Sequence, residues 1–166
     1  MSGRRTRTID FEEPSATSNA ALGKPGIEFL RALCEGNVPA PPLHVTLGFQ
    51  LREVQDGFAR YELTPGEHLY GEHNAVHSGV VAALLDAAMS SAVTTTLDAH
   101  TTFSLATLTT HVTRTISGRN ALIQAEGWVV HRGSRLVTAE GKLIDEQGRL
   151  LAHGSATFSL LERNGA

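Results

Sequence analysis

The residues best suited to chemistry lie in an apolar stretch at 80–93. Asp86 is the only charged residue of that stretch, and Ser90 follows it by one helical turn, within reach of the carboxylate or of a water that it holds. Burial opposes the charge of a carboxylate, so an aspartate in such a run is rare without a use. We interpret Asp86 as a base or nucleophile that Ser90 supports.

The tripeptide before this stretch, His77-Ser78-Gly79, supplies a second chemical element. At a helix start the first backbone N–H groups have no intrahelical acceptor and the helix dipole is positive, which favours an oxyanion. Oxyanion stabilisation together with a carboxylate is what acyl hydrolysis needs. Eight residues, or roughly 12 Å of helical rise, separate Ser78 from Asp86. We therefore expect a second chain to bring the two elements together.

A structural role for Asp86 is the alternative. A mid-helix aspartate can be ion-paired in a core, and Arg114, Arg132 and Arg135 are the possible partners. The residues that share its helical face are small and leave room for a narrow ligand or another backbone: Gly79, Ala82, Ala83, Ser90 and Val93.

The elements that must position these residues follow from periodicity and turn residues. Before the long helix at 80–93, we expect a short helix near 27–34 and a hairpin of two strands, 43–55 and 57–65, that turns at Asp56-Gly57. After residue 98 we expect four consecutive antiparallel strands, with turns at 117–118, 132–133 and 146–148. This order predicts an α+β protein in which a curled antiparallel sheet wraps one long helix. Because the helix is apolar nearly all round, a homodimer is expected to cover it.

Length and composition predict one domain. A chain of 166 residues with 41% hydrophobic residues suits a single core and is too short for two ordinary domains. Residues 1–22 hold three arginines, three acidic residues and a Ser/Thr/Ala stretch without an apolar period, which predicts a flexible tail. The domain is therefore expected at 23–162, with a short C-terminal tail at 163–166.

Charge and cysteine content exclude several classes of protein. A net charge of -3 without a basic stripe is not typical of nucleic-acid-binding proteins. Cys34 is the only cysteine, so no intrachain disulfide can form, which fits a reducing compartment. No uncharged run reaches the roughly 18 to 20 residues of a membrane span, and no signal-peptide core is seen. We expect a cytoplasmic protein with neither nucleic-acid nor membrane partners.

The histidines before the long helix raise a metal site as a further alternative. His68, His73 and His77 share a loop with Glu72, and His73 and His77 have the i, i+4 spacing of zinc ligands on a helix. The run lacks the internal glutamate of the metalloprotease pattern, so no metal is expected. No G-x-G-x-x-G or G-x-S-x-G motif occurs, which argues against a nucleotide cofactor and against Ser-His-acid catalysis.

The sequence resembles a known family. The stretch GEHLYGEHNAVHSGVVAALLDAAMSSAV, preceded by LGFQLREVQDGFARYELTP and followed by DEQGRLLAHGSATFSL, is similar to the hotdog-fold acyl-CoA thioesterases of the phenylacetate-degradation (PaaI-like) type, over about residues 25–162. The most specific element is a His-Gly-Gly motif with an acid nine residues after the His, matched here by His77, Ser78, Gly79 and Asp86. The resemblance implies a hotdog fold, dimers and commonly homotetramers, and cofactor-free hydrolysis of aryl or short- to medium-chain acyl-CoA.

The resemblance also implies roles for individual residues. Asp86 is expected to act across the dimer, as nucleophile or general base, on a thioester whose carbonyl oxygen contacts the N–H of Ser78. Ser90 is expected to support the acid or the water, and His77 to position the substrate. Ser104, on the following strand, is expected to contact the substrate or the water.

The sequence departs from the family pattern at two positions. Ser78 replaces the first Gly of the motif, which keeps the amide and adds a side chain. Gly71 lies where the family often has an Asn, and Asn74, where a Gly is more usual, becomes the candidate for that contact with substrate. These departures leave open a module that binds acyl-CoA or an acyl carrier without cleaving it, and a hotdog dehydratase or isomerase is a third alternative.

Overall fold

The computed structural model describes residues 3–117 and 122–163, in which a six-stranded antiparallel sheet packs on one long helix. The helices are α1 (Pro14–Ala20), α2 (Gly26–Cys34), α3 (Pro42–Leu47) and α4 (Ser78–Thr95), with a 3-10 turn at Glu67–Leu69. The strands are β1 (Gln50–Gln55), β2 (Phe58–Leu63), β3 (Thr101–Val112), β4 (Ile123–Arg132), β5 (Leu136–Asp145) and β6 (Leu150–Glu162). The predicted α+β hotdog architecture is confirmed.

The strand order of the sheet is β1-β2-β4-β5-β6-β3. The four strands after α4 form as expected, but they are not four consecutive neighbours, because β3 pairs with β6 and β4 pairs with β2. Turn residues indicate where a strand ends and carry no information on which strand the next one pairs with. Pairing with β4 supplies hydrogen-bond partners for the backbone groups of β2 that face away from β1. Strand β3 is left at the edge of the sheet.

Helix α1 lies inside the segment that the sequence predicted to be a flexible tail. Its one buried residue, Thr17, donates a hydrogen bond from its hydroxyl to the carbonyl of Pro39 at 2.9 Å. Ser, Thr and Asn are weak helix formers, so the composition did not indicate a helix here, and packing against the chain near Pro39 holds it. The flexibility of the two tails stays a prediction.

Helix α3 occupies the start of the run that was interpreted as the first strand. Pro42 sits in its first turn, where a fixed φ and a missing N–H suit a helix. Gly48, in the left-handed conformation at φ 82°, ends it. The strand prediction at 43–55 was therefore wrong for its first half, and β1 begins at Gln50.

Glycines let α4 lie directly on the sheet. At Gly127 of β4 a Cβ atom would stand 2.4 Å from the backbone carbonyl carbon of Ala88. Gly141, its cross-strand partner on β5, faces the side chains of Leu85 and Met89. Leu85 and Met89 have no exposed surface. The centre of the core is this crossing of α4 over the sheet.

Among the described helices, α4 alone is long and apolar enough for a membrane span by length and composition. More than half of it is buried inside the protein, as in the core helix of a folded domain. The sequence prediction concerned uncharged runs, and Asp86 does interrupt this one, but one aspartate in 18 residues leaves the mean hydropathy high.

Candidate active site

The start of α4 is fixed by the residues before it. His77 is the N-cap, and its Nδ1 accepts a hydrogen bond from the N–H of Gly79 at 2.9 Å. The N–H of His77 donates to the carbonyl of Leu69 at 2.9 Å, and the N–H of Val76 donates to the carbonyl of Ile116 at 2.8 Å. The helix start is thus held both by its own loop and by the segment that follows β3.

The two amides predicted to bind an oxyanion differ in availability. The N–H of Gly79 is engaged by the imidazole of His77. The N–H of Ser78 makes no hydrogen bond to any residue within 3–117 and 122–163. Because Nδ1 of His77 is an acceptor here, the neutral ring carries its proton on Nε2. One first-turn amide, that of Ser78, is therefore open to an oxyanion.

A cavity of about 390 Å³ opens beside this helix start. Its lining combines backbone and polar side chains: Gly71, Glu72, His73, Ala75, Val76, His77 and Ser78. Sequence reasoning missed Ala75 and Val76, because small apolar residues in a loop carry no periodic signal. The cavity places the open amide of Ser78 next to a space where a ligand fits.

Gly71 allows the loop to pack against His77. A Cβ atom at Gly71 would lie 3.3 Å from Cδ2 of the His77 ring, so a larger residue would displace the ring or the loop. An Asn at this position would need the ring of His77 or the loop to shift by a few tenths of an ångström. The glycine is therefore matched to the position of the N-cap histidine.

The identity of Asn74 is explained by a turn. Its φ is 53°, the only positive value for a non-glycine residue in the described part of the chain. The N–H of Gly71 closes the turn by donating to the carbonyl of Ala75 at 2.8 Å. Asn adopts the left-handed conformation more readily than most residues. Asn74 is exposed and does not line the cavity, and its contact with substrate stays a prediction.

Asp86 lies half-buried in the middle of α4. Its Oδ1 atom has no exposed surface and no hydrogen-bond partner among the described residues. Burial raises the pKa of this carboxyl above the ordinary value of 3.8. A buried acceptor without a donor costs about 1–3 kcal/mol. A carboxylate kept in this condition is suited to hold a water or to take up a proton.

The ion-pair alternative for Asp86 has no support in the described part of the chain. Arg132 donates a hydrogen bond to the carbonyl of Thr96. No ion pair between residues of 3–117 and 122–163 includes Asp86, Arg114 or Arg135.

Asp86 belongs to a stripe along α4 that is only partly covered. The stripe comprises Val80, Ala82, Ala83, Asp86, Ser90 and Thr94. It agrees with the expected face at Ala82, Ala83 and Ser90. Of the other expected residues, Gly79 is exposed and Val93 is fully buried, and Val80 and Thr94 were not expected. Ser90 lies one turn after Asp86, but its hydroxyl donates to the carbonyl of Ala87 at 3.3 Å. Its support of the carboxylate stays a prediction.

Ser104 lies on β3 directly opposite Ser159 of β6. The neighbours Phe103 and Phe158 pack edge to face inside the protein, with ring centroids 5.0 Å apart. Because side chains alternate along a strand, Ser104 points to the face of the sheet away from α4. The structure does not bring Ser104 and Asp86 of one chain together, and its predicted contact with substrate stays a prediction.

The loop histidines do not converge on a metal. Within the described residues no group of three or more His, Cys, Asp or Glu side chains could hold one. His73 lines the cavity at the helix start, whereas His68 faces a separate space beside Arg5 and Arg7 of the N-terminal segment.

Residues 73–152, which include the helix start and Asp86, match the family model of the thioesterase superfamily. The chain has the hotdog fold, and over these residues it is similar to the thioesterase superfamily. This confirms the family that the His77 to Asp86 motif indicated. A comparison with curated proteins found no match.

Solved structures of bacterial proteins, including a thioesterase and a putative thioesterase, share this fold. The PaaI protein from the phenylacetic acid degradation operon of E. coli superposes with a TM-score of 0.70 at 18% identity, over 87% of this chain and 98% of that one. A thioesterase from Haemophilus influenzae gives 0.69 at 18% identity, over 82% and 90%. A putative thioesterase of Ralstonia eutropha JMP134, described as phenylacetic acid degradation-related, gives 0.70 at 24% identity, over 78% and 97%. At these identities the likeness concerns the fold.

Proposed function

We propose that this hotdog protein hydrolyses acyl-CoA thioesters to a free acid and CoA, at a site shared between two copies of the chain. The observation that carries the proposal is the buried Oδ1 of Asp86, which has no partner among the described residues and lies on the partly open stripe of α4. The match of residues 73–152 to the thioesterase superfamily supports a thioester as the bond that is cleaved.

In the proposed reaction Asp86 acts as a general base. It takes a proton from a water that attacks the thioester carbonyl, and the N–H of Ser78 stabilises the resulting oxyanion. The tetrahedral intermediate collapses with cleavage of the C–S bond, and the leaving thiolate receives the proton from Asp86. Direct attack by the carboxylate, followed by hydrolysis of the anhydride, uses the same residues. Neither route needs a cofactor.

A second copy supplies the geometry that one chain lacks. Ser78 and Asp86 are separated by roughly 12 Å along one helix, too far for both to contact one carbonyl group. Strand β3 pairs only with β6 and leaves its other edge open within the described residues. Leu105 of β3, opposite the buried Phe158, keeps 40% of its surface exposed. An open edge strand of this kind is a surface for pairing with another chain.

We therefore propose a homodimer joined along β3, with Asp86 of one copy facing the helix start of the other. Edge pairing would put both α4 helices on the same face of one continuous sheet. Two such dimers would form the proposed homotetramer. Light scattering on the purified protein, compared with the 17.7 kDa chain mass, tests the assembly directly.

A binding module for acyl-CoA or an acyl carrier is the second candidate function. The observation that favours it is the engagement of the Gly79 amide by His77, which leaves a single first-turn amide for an oxyanion. Ser78 also adds a side chain to the lining of the cavity.

Release of free thiol from a panel of aryl, short-chain and medium-chain acyl-CoAs separates the two functions. Asp86→Asn is expected to lower kcat by about 10²-fold or more, because it removes the base. Asp98→Asn is the matched control, since that carboxylate is exposed and accepts a hydrogen bond from the N–H of His100 in the turn between α4 and β3. CoA binding without hydrolysis of any substrate would favour the module. Equal rates in the parent and Asp86→Asn would remove Asp86 from catalysis.

A further inference from the structure

A second cavity, of about 580 Å³, lies beside the segment that follows β3. Its lining is rich in cationic and hydroxyl side chains: Thr113, Arg114, Thr115, Ser117, Asp145, Arg149 and Leu151. Guanidinium and hydroxyl groups are the donors that proteins use to bind phosphate. The superfamily motif at the start of α4 does not include any of these residues.

Arg114 supplies the available positive charge of this cavity. It is exposed, and its guanidinium makes no hydrogen bond or ion pair with residues of 3–117 or 122–163. Arg149 is held in place by Asp145, with Nε 2.7 Å from Oδ2, and by Gln147 at 3.1 Å. The charges of Arg149 and Asp145 offset each other, so the cavity keeps the net positive charge of Arg114.

The backbone around Arg114 is fixed next to the start of α4. The N–H groups of Thr113 and Arg114 donate to the carbonyl of Leu151 on β6, at 2.9 and 3.1 Å. Two residues after Arg114, the carbonyl of Ile116 accepts from the N–H of Val76, one residue before the N-cap of α4. The Cα atoms of Arg114 and Ile116 are therefore at most about 7 Å apart. A substrate whose acyl end lies at Ser78 can extend over this segment.

We propose that Arg114, with Arg149 and the hydroxyl of Thr115, binds phosphate of the thiol carrier, and that the carrier is free CoA rather than an acyl carrier protein. This inference rests on the proposed function. Free CoA ends in a nucleotide with a pyrophosphate and a 3′-phosphate, whereas the phosphopantetheine arm of a carrier protein has one phosphodiester joined to the protein. A net cationic cavity near the acyl site suits the free nucleotide.

Hydrolysis of one acyl group on two carriers, CoA and pantetheine, tests the inference. In Arg114→Gln the KM for acyl-CoA is expected to rise about tenfold with kcat unchanged, because a charge-assisted contact is lost. The KM for acyl-pantetheine, which has no phosphate, is expected to stay the same. Arg114→Lys should restore most of the affinity for acyl-CoA. Arg31→Gln, an exposed arginine on α2, is the control for charge alone.

A binding measurement distinguishes failure of this inference from failure of the proposed function. Calorimetry is expected to show CoA binding the parent more tightly than pantetheine and 3′-dephospho-CoA, with the preference for CoA lost in Arg114→Gln. That result would uphold the phosphate site even if no acyl-CoA were hydrolysed. Equal binding of CoA and pantetheine by the parent, or CoA binding unchanged in Arg114→Gln, would overturn it. Arg149 stays unaltered in these variants because it partners the buried Asp145.

Discussion

Two aspartates at the core of this protein have opposite surroundings. Asp145, at the end of β5, is 2% exposed, yet its carboxylate accepts hydrogen bonds from the N–H groups of Gln147 and Arg149 and from Nε of Arg149. Asp86 is less buried, and its Oδ1 has no partner in the described part of the chain. Burial alone does not mark a carboxylate as functional, because the more deeply buried of the two has a complete structural role.

The pKa directions follow from this difference in partners. Burial by itself raises the pKa of Asp145, but the hydrogen bonds from Arg149 and Gln147 and the guanidinium charge outweigh it and hold that pKa below 3.8. For Asp86, desolvation by burial is the cause that acts, and the pKa is raised. The comparison therefore predicts that replacement by asparagine, or a change of pH, affects the stability of the folded protein in opposite ways at the two aspartates.

Replacement by asparagine should separate the two sites most strongly. Asp145→Asn removes the charge that Arg149 and two backbone N–H groups bind, so the urea midpoint of unfolding is expected to fall markedly. Asp86→Asn removes an unpartnered charge, and the free energy of unfolding is expected to stay the same or rise by up to about 1 kcal/mol. Urea unfolding of both variants measures this. A loss of stability in Asp86→Asn as large as in Asp145→Asn would reveal a partner for Asp86 in the assembled protein.

The pH dependence of stability should also have opposite signs at the two sites. Between 3.8 and the raised pKa of Asp86, the folded state binds more protons than the unfolded state, so this group lowers stability as the pH rises through that window. Between 3.8 and the lowered pKa of Asp145, the unfolded state binds more protons. The stabilisation from Asp145 is therefore complete above 3.8 and lost as the pH falls through the lower value.

The measurement is the difference in unfolding free energy between the parent and each asparagine variant, over about pH 3 to 6. For Asp145→Asn the deficit relative to the parent is expected to grow as the pH rises towards 4 and then to level off. For Asp86→Asn the free energy of unfolding of the variant is expected to rise relative to that of the parent as the pH rises. Slopes of the same sign would contradict the comparison.

Much of the fold was predictable because its signals are local. The 80–93 run has the length and composition of a core helix, and Asp56-Gly57 forms the expected turn, with Gly57 at φ 70°. The edge position of β3 was not predictable, because it follows from β4, and not β3, being the second neighbour of β2 in the sheet. Helix α3 was also missed, because the run from residue 43 was interpreted as a strand and the helix-start signal of Pro42 was not weighed.

The residues of the candidate site were predictable, whereas their hydrogen bonds and side-chain orientations were not. The family motif that the sequence resembles related His77 to Asp86. That His77 would cap the helix through Nδ1 and engage the amide of Gly79 depends on one rotamer, which no spacing encodes. The side-chain face of Ser104 depends on its register with Ser159, which only strand pairing sets. Nothing in the sequence indicated that Asp145 is buried and paired, because an aspartate before a turn is common on protein surfaces.

The smallest expected effect concerns whether Asp86 acquires a partner during catalysis. Ser90→Ala removes a hydroxyl that bonds only the carbonyl of Ala87, so the free energy of unfolding is expected to change by less than about 0.5 kcal/mol. If the hydroxyl turns to the carboxylate or its water during catalysis, kcat falls several-fold at constant KM. The acidic limb of the pH–rate profile then moves to higher pH, because a hydrogen bond to the charged form is lost.

Ser91→Ala is the matched control for this change. Ser91 is buried on the same helix and bonds the hydroxyl of Tyr61 at 2.9 Å, so its loss is expected to lower stability and leave the acidic limb in place. A pH–rate profile for each variant, with urea unfolding alongside, gives both readouts. If Ser90→Ala leaves the acidic limb unchanged, Ser90 has no contact with the acid, and the carboxylate of Asp86 works without support from its own helix.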